Sequence, residues 1–265
     1  MENSNRKLKA LVTVLLVCMG AAFLAFDVVG VQLLEDDAAW TLLKGALTRF
    51  LGAAFAVAVI VMMRYDCLGL KGSTAKHLLL AAPLALVPLN NFPWLDSLSG
   101  RLNIDSTALL PLFALECLSV GVFEELIFRG FVFPMFLEKR QTDKKQLLFS
   151  VVASSAVFGL YHIVNLFAGS GPGAVALQVG YSFLLGMLLC VVLLLTKNIW
   201  LCALLHAVYN FGGLFYPTLG SGNLWSVQTV LLTVAVSLAV AAYAAWLFFK
   251  RDMPYATEIA PLRKQ

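Results

Sequence analysis

"LLTVAVSLAVAAYAAWLFF", residues 231–249, runs for nineteen positions without a charged side chain. A strand of a membrane barrel would alternate apolar and polar residues over about 10 positions. This run does not alternate, and as a helix rising 1.5 Å per residue it is long enough to cross about 30 Å of hydrocarbon. With no water there to satisfy the backbone, a helix is the reading that remains. The rest of the chain shares this character. Of 265 residues, 60% are hydrophobic and 13% charged, and the mean hydropathy is +0.86. Soluble domains carry about 25% charged residues, so the supply here would not cover a soluble surface. Composition therefore predicts an all-α polytopic membrane protein.

Apolar stretches long enough to span fall at Leu8–Leu34, Gly45–Met63, His77–Leu89, Thr107–Leu137, Gln146–Phe167, Ala174–Thr196, Trp200–Phe215 and Ser226–Phe249. That predicts a bundle of about eight transmembrane helices. The third is short and carries Pro83 and Pro88, and the seventh is also short. The first is too long for a signal-peptide core and lacks a small-residue cleavage site, so it reads as a true span. Lys and Arg test the division independently: alternate connections hold 15 and 1 of the 19 basic residues. Under the positive-inside rule both termini are cytoplasmic. No repeat, low-complexity segment or soluble domain interrupts the chain, so residues 1–265 read as one transmembrane domain. Five cysteines (Cys18, Cys67, Cys117, Cys190, Cys202) show no CxxC spacing, which argues against a disulfide framework or zinc knuckle. Without a clustered basic and aromatic surface, no nucleic acid is expected as a partner. Membrane lipids are.

Ionisable groups at bilayer depth cost about 3 kcal/mol each on insertion scales, so they are rare and usually functional. Here they are Asp27, Arg49, Glu116, Glu124, Glu125, Arg129, His162 and His206, with Asn210 beside the last. Asp27 and Arg49 lie near helix ends, where snorkelling is cheap, and Glu116 reads as structural. Glu125 and Arg129 stand four apart with the acid first, the favourable order on a helix, and are expected to neutralise each other. Glu124 points about 100° away from Glu125 and gets no partner from its own helix. Such a carboxylate is protonated, paired from another helix, or lining a wet cavity. "FGLYH" sets Phe158 and His162 on one face of the fifth helix, and "HAVYN" sets His206 and Asn210 on one face of the seventh. One shared polar cavity meets the hydrogen-bonding needs of all four groups. Depth permits this: His206 stands about 13 Å above Lys197, Glu124 about 22 Å above Lys139 and His162 about 25 Å from Lys145. The last fits less well unless that helix protrudes.

A glutamate and a histidine facing one water form a general-base pair for attack on a carbonyl. A second histidine and a carboxamide offer donors to the oxyanion. No Ser or Cys stands in a nucleophile context such as GxSxG. Glu124, His162 and His206 would equally serve as three ligands of a catalytic Zn²⁺, although no HExxH is present. The residues by themselves leave metal-free and metal-dependent hydrolysis open.

Glu124-Glu125-x-x-x-Arg129, Phe158-x-x-x-His162 and His206-x-x-x-Asn210, in this order on separate helices, resemble the three motifs of the CPBP family. These are the CAAX-protease and bacteriocin-processing membrane proteins, also called Abi or intramembrane glutamic endopeptidases. The motif-bearing core covers about residues 107–215. The resemblance implies an eight-helix bundle whose site opens toward the cytoplasm, in the plasma membrane of a prokaryote. It implies glutamate-dependent, metal-independent peptide hydrolysis with no cofactor. Carried over, Glu124 and His162 activate water, His206 and Asn210 form the oxyanion site, and Glu125, Arg129 and Phe158 support them. The substrate would be a peptide or protein, whether a lipidated tail or a leader peptide. Two other classes compete. A non-catalytic scaffold or bacteriocin-immunity protein would use the same cavity for binding. A transporter would also explain intramembrane acids, but the chain lacks the repeats that such folds carry.

Overall fold

The computed structural model describes residues 32–69, 74–138, 143–253 and 255–259, together with Val14 and Cys18. The expected first span, Leu8–Leu34, and Asp27 within it lie almost wholly outside these residues. The helices are α1 (Asp37–Met63), α2 (Ala75–Asn90), α3 (Trp94–Leu98), α4 (Leu110–Ile127), α5 (Phe133–Leu137), α6 (Lys144–Leu166), α7 (Pro172–Thr196), α8 (Ile199–Leu219), α9 (Val227–Lys250) and α10 (Ala256–Ile259). The described residues are thus mostly helical. Among the described residues, five helices, α1, α6, α7, α8 and α9, are long and apolar enough to cross a membrane.

Two of the expected spans take a different form. The third, α2, is sixteen residues long and tightens to a 3₁₀ turn over Ala82–Ala85, where Pro83 removes a backbone donor. The fourth is not one uniform helix. α4 runs into a π turn over Phe128–Val132 before continuing as α5, and α4 itself carries three carboxylates, Glu116, Glu124 and Glu125. The seventh is longer than expected, extending as α8 through Pro217 to Leu219. A feature the periodicity does not announce is an antiparallel pair, β1 (Leu102–Ile104) with β2 (Gly220–Gly222). Side chains would obstruct it: a Cβ on Gly220 would overlap the carbonyl oxygen of Asn103.

Helix ends follow their sequence signals. Asp36 accepts from Ala39 N–H at 2.7 Å to start α1, and Asn198 accepts from Leu201 N–H at 3.0 Å to start α8. Arg64 (φ 58°) and Lys197 (φ 51°) take the left-handed conformation that ends α1 and α7. Leu188–Lys197 is buried without interruption, which makes α7 the central helix. A helix apolar all round belongs in the middle of the bundle. α9 lies at the opposite extreme, with most of its surface outward.

Basic connections meet at one end of the bundle. Lys197 Nζ reaches Asp66 Oδ2 at 2.7 Å, after α1, and Glu258 Oε2 at 2.9 Å, on α10. Lys144 Nζ donates to the carbonyls of Phe248, Phe249 and Arg251 at 2.9, 3.0 and 2.7 Å, which ties the start of α6 to the end of α9. Arg49 does not merely snorkel: it pairs with Glu116 Oε1 at 3.0 Å and so joins α1 to α4. Burial pushes the Lys197 ammonium down, but hydrogen bonds to Asp66 and Glu258 and their charges outweigh it, leaving its pKa above the ordinary lysine value. A raised basic pKa stabilises fully below the unfolded value and is lost as pH rises through the folded one. Lys197→Met is therefore expected to lower the thermal midpoint by about 2–4 °C near neutral pH. The difference from wild type should close only above about pH 10.4. A deficit that already closes by about pH 8 would contradict this latch.

Candidate active site

The site begins with a glycine. A Cβ on Gly121 would overlap the carbonyl oxygen of Ala203 and stand 2.9 Å from the amide nitrogen of Ala207. The backbones of α4 and α8 therefore touch one turn before the glutamate pair and beside His206, the close approach that small residues permit between membrane helices. Gly121→Val is expected to force the helices apart at a cost of about 1–3 kcal/mol. It should also abolish activity in protein that still purifies as a folded monodisperse species, since it moves His206 away from both glutamates. Unchanged activity and midpoint would refute this role for the contact.

Glu125 is fully buried and Arg129 is 1% exposed. They form the expected i, i+4 ion pair at 2.8 Å between Oε1 and Nη1. The same oxygen lies 2.8 Å from His206 Nδ1, a partner that spacing along one helix does not reveal. An ionised carboxylate accepts only, so His206 donates from Nδ1. Its other nitrogen, Nε2, faces Glu124 Oε2 across 3.7 Å. That is too long for a direct hydrogen bond and suited to a bridging water. The His206 ring thus stands between the two glutamates.

Phe158 supplies the common floor. The Arg129 guanidinium lies 4.4 Å over its ring, within cation–π range. The rings of His162 and His206 meet it edge-on at 5.1 and 5.7 Å. Both histidines therefore reach one depth despite their different distances from the basic connections. His162 Nδ1 donates to the Phe158 carbonyl at 3.0 Å, where α6 tightens into a 3₁₀ turn. In the neutral ring Nε2 then carries the lone pair. Asn210 follows His206 by one turn on α8 and is half-buried.

Among the described residues, three buried polar atoms have no hydrogen-bond partner: Glu124 Oε2, Glu125 Oε2 and Arg129 Nη2. All three belong to this cluster. Such atoms are costly unless water or another polar group meets them. Among the described residues, no three His, Cys, Asp or Glu side chains converge to hold a metal ion.

The sequence-predicted residues are thus placed as follows. Glu124, Glu125, Arg129, Phe158, His162 and His206 form one connected cluster on α4, α6 and α8 and the π turn. Asn210 adjoins it on α8. Two contributors were not legible as site residues. Gly121 brings the helices together, and Gly186 leaves room for Arg129, since a Cβ there would stand 3.2 Å from its Nη2. A small-residue pattern was their only signal.

Residues 106–212 match the family model of type II CAAX prenyl endopeptidase Rce1-like proteins. The match is consistent with the resemblance to the CPBP family. The matched segment contains every member of the cluster, from Gly121 to Asn210, on α4 through α8. The family consists of intramembrane peptidases, which supports a protease acting on a peptide or protein substrate in the membrane. Neither the curated proteins nor the solved structures gave a match to the chain.

Proposed function

We propose that this Rce1-like protein is a glutamate-dependent intramembrane endopeptidase. It hydrolyses a peptide bond near the cytoplasmic side of an eight-helix bundle with both termini in the cytoplasm. The observation that carries the reading is the pair Glu124 and His206, 3.7 Å apart, beside a second histidine held on the same aromatic ring. Glu124 is the one acid of the pair without a salt-bridge partner on its own helix, so it is the group free to take a proton from water. His162 Nε2, a lone-pair acceptor, shares that role and orients the water. As the water oxygen adds to the carbonyl carbon, its proton passes to Glu124 and the carbonyl oxygen becomes an oxyanion. His206 and the Asn210 carboxamide stabilise that charge. To donate from Nε2 as well as Nδ1, His206 must be the imidazolium, whose charge the two flanking carboxylates face. Collapse of the adduct expels the amine, which takes its proton from Glu124. No cofactor enters this scheme, and Glu125, Arg129 and Phe158 hold the reacting groups in place.

A substrate with a lipidated tail and a leader peptide both fit a site at this depth, in a prokaryotic plasma membrane. The experiment is a comparison by mass spectrometry of membrane peptides from cells carrying the wild type and Glu124→Ala. Fragments present only with the wild type are expected, and they identify the substrate as well as the activity. If the two sets are identical while a cellular phenotype survives Glu124→Gln, the reading fails in favour of a binding-only immunity protein.

A further inference from the structure

An apolar cavity of about 320 Å³ lies apart from the glutamate cluster, enclosed by α2, α6, α7, α8 and α9. It approaches the site through Tyr209, between His206 and Asn210, and through Tyr181, whose ring is 6.0 Å from that of Tyr209. Its volume is at the lower end of the range for small-molecule sites, about 300–1,000 Å³. The shape is more telling. Its wall follows α9 through Thr233, Ser237, Ala241, Ala245 and Phe249, a stripe of mostly small residues along one face. At 1.5 Å per residue that stripe is about 24 Å long, against about 15 Å for half of a bilayer's hydrocarbon core. The mouth is on the outer surface, where Leu184 is 63% and Phe249 54% exposed. In a membrane that surface faces acyl chains.

One end of the cavity meets cations. Leu148 in its wall is one turn after Lys144, and Phe248 and Phe249 directly precede Lys250 and Arg251. Lys144 is tied to the carbonyls of Phe248, Phe249 and Arg251, which draws Lys144, Lys145, Lys250 and Arg251 to one junction. Asp143 and Asp252 there offset part of the charge, leaving a net excess of two cations. The Arg251 guanidinium lies 5.0 Å over the Trp246 ring, and Trp at this position marks a headgroup level. Basic pockets between membrane helices are the sites that recognise anionic headgroups.

We propose that this cavity and the cations at its end form a binding site for an anionic bilayer phospholipid. One acyl chain lies along α9, and the phosphate sits at Lys145, Lys250 and Arg251. The proposal is independent of peptide hydrolysis and concerns the α6–α9 junction. Purified full-length protein, delipidated in neutral detergent, tests it by thermal unfolding with added phosphatidylglycerol, phosphatidylcholine of the same chains, or inorganic phosphate. Phosphatidylglycerol is expected to raise the wild-type midpoint by about 3 °C or more beyond phosphatidylcholine, and inorganic phosphate to leave it unchanged. Ala245→Phe, which fills the mouth, and the pair Lys250→Gln/Arg251→Gln should each remove that difference while keeping the lipid-free midpoint. If Ala245→Phe does not purify folded, Leu184→Phe fills the mouth from α7. Equal shifts with the two lipids in the wild type would overturn the proposal and assign the cavity to a neutral chain. A phosphatidylglycerol effect that survives the filled cavity, or one reproduced by inorganic phosphate, would overturn it too.

Discussion

Glu124→Gln is expected to lower kcat/KM for peptide hydrolysis by about 10³-fold while leaving the thermal midpoint of the purified protein nearly unchanged. The two halves of this expectation have one cause. Glutamine keeps the shape of the side chain but offers no carboxylate to accept a proton from water. The protein loses little by the exchange, because Glu124 Oε2 has no hydrogen-bond partner among the described residues and stands 3.7 Å from His206 Nε2. Stability stored in that carboxylate is therefore small beside that of the Glu125–Arg129 pair, closed at 2.8 Å. The measurement is kcat/KM on a peptide identified from the membrane comparison, with the midpoint read on the same preparation. Wild-type turnover by Glu124→Gln would remove the general base from the mechanism. A collapse of the midpoint would instead show that Glu124 is structural.

Glu125→Ala is expected to do the reverse in kind, destabilising the fold by about 3–5 kcal/mol as well as abolishing activity. Arg129 is 1% exposed, and its Nη1 bonds Glu125 Oε1 at 2.8 Å. Removing the acid leaves a buried guanidinium without its counter-charge, and that penalty is far larger than the net worth of the pair. The double variant Glu125→Ala/Arg129→Met separates two consequences. Replacing both partners by apolar groups is commonly neutral, so the double variant should recover most of the lost stability and show strong non-additivity. Activity should not recover, because His206 Nδ1 would still lack the carboxylate that orients its ring. Recovery of both would mean that Glu125 serves Arg129 only and has no part in placing His206.

The mostly helical fold and the convergence of Glu124, His162 and His206 on one cluster were legible in the chain. Each rests on a local or compositional signal. Nineteen uncharged residues in hydrocarbon leave the backbone only helical hydrogen bonds, and charges in so apolar a chain are conspicuous. The Glu125–Arg129 pair was legible too, because i, i+4 neighbours meet wherever a helix forms. What spacing does not carry is which side chain from another helix arrives. Arg49 looked like a snorkelling cation and is the partner of Glu116. Lys197 looked like a loop residue and clasps Asp66 and Glu258. Glu125 looked fully occupied by Arg129 and also holds His206.

The same distinction separates what the amino-acid order determined about this protein from what only tertiary structure decided. Order alone determines a helical membrane bundle and places carboxylates, imidazoles and a carboxamide at particular turns of three helices. Tertiary structure decides that α4 and α8 meet at Gly121 closely enough to put one imidazole between two glutamates, and that Phe158 floors both histidines and Arg129 together. The physical reason is range. Helical periodicity propagates along the chain through backbone hydrogen bonds, whereas the position of His206 against Glu125 depends on side-chain volumes at a crossing 81 residues away in sequence.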